Sequence, residues 1–338
     1  AEFGVLQTQK GPFLQNLNLR PVGESPDGRT RYAGPISPTT GGAGRSNSSA
    51  TYTNTANYQH SGFADVYLLT NSDQGGGQDF TLRLARPFRQ NWGANLSWTR
   101  SNYREVSPMA ATGNAQSFYT NRASVDPNRP AASTSNYSIP DKIVAQLTYR
   151  LHLFKNAPST FSLTYQGRTG RPYSWVFYAD ANGDGFTFND LFYVPTGPAD
   201  PKVRWVNSTE RDNFFRFLET SNLGKYRGSI VPRNSDNSPW TNSFDLKFTQ
   251  AIPLYKSVST EFYANLLNIG NLLNEKWGLV EEVPFSYRRA VAATVYDPAA
   301  NQYIYNFTPT TLNLLPISAD GNSATSRWQV SVGMRVRF

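Results

Sequence analysis

The C-terminal segment of this chain alternates strictly between apolar and polar side chains, and this pattern constrains the fold most. The apolar set is Trp328, Val330, Val332, Met334, Val336 and Phe338, and the polar set is Gln329, Ser331, Gly333, Arg335 and Arg337. Successive side chains of a β-strand point to opposite faces of the sheet. The segment therefore predicts a strand with one wholly apolar face and one polar, cationic face.

The same alternation with a period of two recurs along most of the chain. The clearest segments are 79–84, 92–99, 142–150, 161–166, 244–249 and 259–266, and weaker ones are 2–10, 64–70, 173–178, 289–296 and 303–307. Together with the C-terminal strand they predict roughly a dozen strands, many of the length that suits a tilted membrane span.

Composition excludes several other classes of protein. Aromatic residues make up 14% of the chain and charged residues only 17%, with no cysteine. No stretch reaches the roughly 18 apolar residues that a membrane helix needs, and the lack of cysteine excludes a disulfide framework and a thiolate metal site. The net charge of +8 is scattered rather than clustered, so no nucleic-acid partner is predicted.

A membrane barrel explains the alternation better than a soluble β-sandwich does. Aromatic residues gather at strand ends, as in the girdles of outer-membrane barrels. Short turns are predicted at 74–77, 89–91 and 156–159, and long loops at 11–62, 102–141 and 180–243, one of them rich in Gly, Ser and Thr at 34–54. Long structureless loops argue against a compact soluble domain. We therefore predict an all-β fold, a transmembrane antiparallel β-barrel with long extracellular loops in a bacterial outer membrane, and one loop helix capped by Ser208.

One loop carries a motif that is typical of calcium binding. Oxygen-bearing side chains occupy alternate positions at Asp180, Asn182 and Asp184, and a glycine then turns the chain. The backbone carbonyl of Phe186 and the carboxylate of Asp190 would complete the set of hard oxygen ligands that calcium prefers. Asp190 stands at the eleventh position and no Glu follows, so an EF-hand is not predicted. The alternative interpretation is an Asx-rich turn without a metal.

Catalytic patterns are sparse, and the chain is not predicted to be an enzyme. Neither His60 nor His152 is accompanied by a recognisable serine and an orienting group. No glycine-rich phosphate loop follows a strand and opens a helix. We therefore predict no catalytic and no cofactor-binding residues, with calcium as the one candidate cofactor.

Several longer phrases resemble the C-terminal barrel region of TonB-dependent receptors of the Oar-like group. They are YQGRTGRPYSW followed by DANGDGFTFNDLFYVP, together with YLLTNSDQGGGQDFTLRLARPF, FDLKFTQAIPLYKSVSTEFYANLLNIGNLLNEKWG and the terminal VSVGMRVRF. The resemblance covers residues 63–338, and the Asp-rich phrase with its NDLFYVP tail is its most specific part.

The resemblance implies a barrel of about 22 strands that encloses an N-terminal plug and draws energy from TonB. Residues 1–338 would supply the C-terminal half of that barrel, without the plug and the N-terminal strands. Its partners would be the plug, the TonB system, outer-membrane lipid and, through Phe338, the barrel-assembly machinery. Six cations would line the lumen: Arg83, Lys142, Arg150, Lys247, Arg335 and Arg337.

Three other functions remain open at this point. A dozen strands would also suit a passive channel or an autotransporter-like pore. A surface adhesin or a structural protein would use the loops themselves. A barrel enzyme would require activity that depends on His60 or His152. For the six cations, the alternative interpretation is that they are merely hydrated, because a polar lumen needs hydration whether or not it transports.

Overall fold

A computed structural model of the protein shows one large antiparallel sheet with a folded body at one end. The structure describes residues 2–7, 11–32, 59–60, 63, 65–109, 114–253, 259–308, 317–319 and 324–337. The long strands of the sheet are β1 (Glu2–Gln7), β2 (Gly76–Arg89), β3 (Trp92–Glu105), β4 (Asp141–Phe154), β5 (Ala157–Arg168), β6 (Thr241–Pro253), β7 (Ser259–Leu267) and β8 (Gln329–Arg337). Each strand pairs with its neighbour in the sequence, and we call this meander the wall.

Short and long connections lie at opposite ends of the wall. At the turn end, Gln90 and Asn91 join β2 to β3 with positive φ values of 52° and 68°, which is the conformation of a tight two-residue hairpin turn. Asn156, with a φ of 60°, serves the next hairpin, between β4 and β5. Four long connections emerge at the other end, which we call the loop end: 8–75, 106–140, 169–240 and 268–328.

The strand register brings apolar side chains together on one face of the wall. One continuous row of neighbours crosses six strands: Ala94, Leu147, Leu163, Leu246, Leu266 and Val330. The adjacent row on the opposite face is polar: Thr148, Ser162, Lys247, Asn265 and Ser331. The alternation predicted from the sequence is therefore confirmed strand by strand.

The apolar face of the wall is uncovered. Leu84, Val332 and Met334 expose 64%, 65% and 67% of their surface, and among the described residues no second sheet packs over them. The sheet is open, because no pairing between β1 and β8 is found within the described ranges. No helix in that part of the chain is both long and apolar enough to cross a membrane. The prediction of a mostly β fold is confirmed.

The described parts of the four long connections fold together into what we call the loop body. Its short strands are Gly11–Asn16, Pro21–Glu24, Thr30–Tyr32, Tyr67–Ser72, Ser133–Thr134, Pro172–Val176, Tyr193–Val194, Val203–Trp205, Ser229–Ile230, Asp236–Asn237, Glu281–Glu282, Arg288–Ala290, Ala293–Asp297, Gln302–Asn306 and Ser318–Ala319. Its helices are α1 (Ala115–Thr120), α2 (Ser208–Thr220) and α3 (Ile269–Leu273), with 3₁₀ turns at Asn222–Tyr226 and Ala324–Ser326.

Buried aromatic side chains from distant segments form the core of the loop body. The rings of Phe177 and Phe192 lie 4.8 Å apart, and Tyr305 lies 5.5 Å from both. Phe214 of α2 packs on the same cluster, 6.0 Å from Phe192. Each fully buried side chain of this size contributes about 1.5–3 kcal/mol to folding, so the loop body has its own hydrophobic core.

This core corrects several expectations from the sequence. The candidate strands at 64–70, 173–178, 289–296 and 303–307 belong to the loop body, so the wall contains eight strands rather than a dozen. The described parts of the loops are folded rather than structureless because their aromatic residues bury one another. Helix α2 is capped by Asn207 rather than Ser208, since Asn207 Oδ1 accepts a hydrogen bond from the Glu210 amide at 2.9 Å.

The predicted turn at 74–77 is also wrong in part, because Gly76 and Gly77 lie inside β2 at the loop end. The predicted Gly/Ser/Thr-rich loop at 34–54 and the terminal Phe338 lie outside the described residues.

A glycine on the polar face of the wall leaves room for an aromatic ring on the next strand. Gly77 faces Tyr103, whose ring occupies the space where a Cβ would stand, and the Tyr103 hydroxyl donates to Asp79 Oδ1 at 2.7 Å. We expect Gly77→Ala to displace the ring and to lower the free energy of unfolding by about 1–3 kcal/mol. Urea unfolding of the refolded protein measures this change.

The matched control for this prediction is Gly197→Ala, because a Cβ at Gly197 would meet no atom within 4 Å. The control should unfold at the same urea concentration as the wild type. Equal stability of Gly77→Ala and wild type would show that the close approach of Gly77 and Tyr103 is unimportant.

Candidate metal site in the loop body

The Asp-rich motif forms a buried loop directly after the strand Pro172–Val176. Its polar side chains are almost completely shielded from solvent: Asp180, Asn182, Asp184, Asn189 and Asp190 each expose 2% of their surface or less. Charged groups are rarely buried this deeply unless they are paired or bind a metal. The site therefore needs a full account of what each oxygen contacts.

Backbone amides of the loop donate hydrogen bonds to the first two carboxylates, those of Asp180 and Asp184. Asp180 accepts hydrogen bonds from the amides of Gly183 at 2.6 Å and Gly185 at 2.8 Å. Asp184 accepts from the Phe186 amide at 2.9 Å, and its second oxygen accepts from Asn189 Nδ2 at 2.7 Å. Gly183 and Gly185 adopt positive φ values of 77° and 93°, which glycine does without steric cost.

Asp190 closes the loop onto its own beginning. Its Oδ2 accepts a hydrogen bond from the Ala181 amide at 2.7 Å. Its Oδ1 lies 3.3 Å from Nη1 of Arg29, whose side chain is completely buried. Asp190 thus joins the end of the loop to its beginning, and a guanidinium from a distant segment contacts it there.

Arg29 connects the segment Gly11–Tyr32 to the Asp-rich loop. The guanidinium pairs with Asp27 at 2.7 Å and donates to the Leu191 carbonyl at 2.6 Å. The Tyr303 hydroxyl donates to Asp27 at 3.0 Å, and the Tyr32 amide donates to the Asn182 carbonyl at 2.7 Å. Three parts of the chain that are far apart in sequence therefore meet around the acidic loop.

Burial makes the ionised form of these carboxyls costly. Burial raises the pKa of Asp180 to about 6 against the opposing effect of its backbone hydrogen bonds. Burial raises the pKa of Asp190 to about 7, although Arg29 pulls it down. The pKa of Asp184 is raised well above its usual value, first by burial and then by the charges of Asp180 and Asp190. The surroundings of the loop thus stabilise the ionised carboxylates less well than water does.

Two oxygens of this cluster lack a hydrogen-bond donor. They are Oδ1 of Asn189 and Oδ1 of Asp190, the latter with only its ionic contact to Arg29. The part of the chain that the structure describes contains no ready-made group of three or more His, Cys, Asp or Glu side chains that could hold a metal. Any cation would therefore need amide or backbone oxygens as well as carboxylates.

The structure brings together the five residues predicted from the sequence and adds others. Asp180, Asn182, Asp184 and Asp190 line one buried loop, and Phe186 lies within it with its ring packed on Tyr119, 6.1 Å between centroids. Asn189, Asp27 and Arg29 also belong to this cluster and were not predicted from the sequence. Asn189 directly precedes Asp190, so it could have been predicted as a further amide oxygen of the motif. No local sequence pattern connects Arg29 to this loop, which lies about 150 residues further along the chain.

The other residues singled out in the sequence are placed as follows. The predicted lumenal cations share the polar face of the wall, where Arg83 donates to Asn95 Oδ1 at 2.8 Å and Arg335 lies 3.8 Å from Glu261. His60 belongs to the first long connection, and His152 lies near the turn end of β4. The two histidines are thus at opposite ends of the wall and form no common site.

Comparison with known proteins yields no relative for this chain. No protein family, curated protein or solved structure matches it. The resemblance to Oar-like receptors stays a prediction from the sequence motifs. The two faces of the wall and the loop body are the structural features on which a proposed function can be based.

Proposed function

We propose that this chain is part of the wall of a bacterial outer-membrane β-barrel, in a TonB-dependent receptor of the Oar-like type. The observation that carries the proposal is the exposed apolar face of the eight long strands of the wall, whose opposite face is polar. Apolar surface of this extent is unfavourable in water and suits hydrocarbon. A polar interior and an apolar exterior are the pattern of outer-membrane barrels.

The height of the apolar band supports a membrane-spanning wall. On β6 the apolar face is bounded by Asn242 near the loop end and Gln250 near the turn end. These residues are separated by eight positions, or about 27 Å along a strand. With the tilt of about 35–45° that barrel strands adopt, this length spans about 19–22 Å across the membrane, comparable to the ~25 Å band of outer-membrane barrels.

Aromatic side chains mark both borders of the band. Near the loop end, Trp98 Nε1 donates to Asp141 at 3.2 Å and Trp240 Nε1 donates to Asn242 at 3.0 Å. Near the turn end, Trp92 pairs with Tyr149 across β3 and β4. Aromatic rings with one polar end favour the membrane–water interface, so these borders support the same orientation.

Both outer strands, β1 and β8, have one backbone edge without a partner strand in the described residues. Unpaired amides and carbonyls are too costly in hydrocarbon, where only closed barrels and helices span. We propose that further strands complete the wall, as in a barrel of about 22 strands. The polar face then encloses a plug, and its cations, including Arg83 and Lys247, face plug carboxylates or anionic solutes.

The loop body would face outward and select the substrate, because outer-membrane barrels carry their long connections on the outer side. Energy coupling through TonB would act on the plug rather than on this chain. A passive channel built on the same wall would lack the plug and would conduct ions continuously.

Depth-dependent fluorescence quenching tests the membrane part of this proposal. In lipid vesicles, a variant that keeps only Trp98 should be quenched by brominated acyl chains, because Trp98 lies on the apolar face of the wall. A matched variant that keeps only Trp175, buried in the loop body, should not respond. A wild-type protein that remains monodisperse in buffer without detergent would contradict the proposal.

Planar bilayer recordings separate the receptor from the passive channel. The full-length protein should show no steady conductance, because a plug fills a receptor barrel. A stable open conductance would favour the passive channel over the receptor.

A further inference from the structure

We propose that the Asp-rich loop binds one calcium ion through side-chain oxygens of Asp180, Asn182, Asp184, Asn189 and Asp190. The proposal concerns the loop body and is independent of whether the wall faces a membrane. It adds Asn189 to the ligands expected from the sequence and retains the carbonyl of Phe186 as a backbone ligand.

The balance of buried charge is the first argument. Asp180, Asp184 and Asp190 are buried in one loop, and Asp27, with a fully buried side chain, stands on the other side of Arg29. Arg29 is the one guanidinium in ionic contact with Asp27 and Asp190 among the described residues. Leaving buried carboxylates uncompensated costs several kcal/mol each, and a divalent cation removes most of this cost.

The second, independent argument is the unsatisfied oxygen of Asn189. This side chain is 1% exposed, and its Oδ1 has no hydrogen-bond donor. Its Nδ2 contacts Asp184 Oδ2 at 2.7 Å, and the two amide atoms share one carbon, so the oxygen lies beside the same carboxylate. A buried amide oxygen without a donor has lost its hydration without compensation. A cation bound beside Asp184 on the side of this oxygen would satisfy it and would leave the Nδ2 hydrogen bond to Asp184 in place.

The chemistry of the donors selects calcium among the common cations. All of the candidate ligands are carboxylate, amide or carbonyl oxygens, which suit calcium or magnesium rather than zinc or copper. Calcium accepts six to eight oxygens in flexible geometry, whereas magnesium requires a near-ideal octahedron and retains water. Asp180 and Asp184 also accept hydrogen bonds from the loop backbone, and a carboxylate oxygen retains a second lone pair for a metal.

The position of the loop gives the ion a structural effect. The Asn182 carbonyl accepts the Tyr32 amide, and Asp190 contacts Arg29, so the loop is bonded at two points to the segment Gly11–Tyr32. An ion that fixes the loop would also fix this segment. We therefore expect calcium to stabilise the loop body as a unit.

The direct test is binding by the full-length wild-type protein in detergent. Terbium, which replaces calcium and emits when excited through nearby tyrosine, should show sensitised luminescence that calcium displaces and magnesium displaces poorly. Tyr119 and Tyr32 are the nearby donors of excitation energy. Thermal unfolding of the loop body should shift upward by about 5 °C or more in saturating calcium relative to EGTA.

Paired variants identify the site. Asp184→Asn should abolish the terbium signal and the calcium-dependent shift, whereas Asp212→Asn, on the exposed side of α2, should retain both. A wild-type protein with the same unfolding temperature in calcium and EGTA and without displaceable terbium luminescence would overturn the proposal. So would a calcium response that Asp184→Asn leaves intact, and if Asp184→Asn fails to fold, the wild-type titration decides.

Discussion

Leu96→Arg should destabilise the folded protein in lipid by about 2–4 kcal/mol, the cost of an arginine near the middle of the lipid-facing surface of a barrel. Leu96 lies on the apolar face of β3, 45% exposed, between Leu84 and Ala145 on the neighbouring strands. In hydrocarbon, an arginine at this position loses its hydration without gaining a partner. Urea unfolding from lipid vesicles, followed by the gel shift between folded and unfolded forms, measures the loss.

The adjacent residue provides the matched control. Ser97 faces the polar side of the same strand, where it pairs with Arg83 on β2. Ser97→Arg introduces the same charge into a watery interior, where repulsion from Arg83 is screened and costs about 0.2–1 kcal/mol, so the loss should stay below about 1 kcal/mol. Equal costs for the two substitutions would mean that the two faces of the wall share one environment, and the membrane proposal would then fail.

Arg29→Met should open the loop body, with an expected loss of about 3–5 kcal/mol in the free energy that protects it from opening. The substitution retains much of the side-chain volume but leaves Asp27 and Asp190 without their cation. Hydrogen exchange of the amides of Phe177 and Phe192, which donate to Asp190 and Trp175 within the loop body, should accelerate by at least about a hundredfold.

Arg20→Met is the control for this second experiment, because Arg20 is exposed on the same segment as Arg29. Its exchange rates should match those of the wild type. Protection that survives Arg29→Met would show that the hydrophobic core around Phe177 and Phe192 holds the loop body closed without the ion pairs.

The wall was predictable because its signal is local. In each strand, successive side chains alternate between the apolar and the polar face, as Leu96 and Ser97 do. Each strand also pairs with the next wall strand along the chain. The hairpin turn at Gln90 and Asn91 was also visible in the sequence. The number of wall strands was overestimated because short apolar segments such as 173–178 have the same alternation whether they face lipid or a protein core.

The loop body was not predictable from local patterns. Its core joins Phe177, Phe192 and Tyr305, and no periodicity connects residues so far apart. The same limit applies to the acidic loop, where Asp180 to Asp190 were found by spacing, but Arg29 was not. The contact of Arg29 with Asp190 depends on the tertiary fold and has no local sequence pattern. Only the alternating oxygen-bearing residues of the motif itself could be identified from the sequence.

The wall is held together by pairing between successive strands, whereas the loop body is held together by contacts between residues far apart in sequence. This difference affects the order in which the two parts can fold. Closing a chain segment costs conformational entropy that grows with its length, and contacts between distant residues slow folding. Hairpins such as β2–β3 require only a two-residue turn, whereas the contact of Tyr303 with Asp27 spans 276 residues. Zipping of the meander would bring these remote segments within reach of one another, so the body at the loop end would condense last.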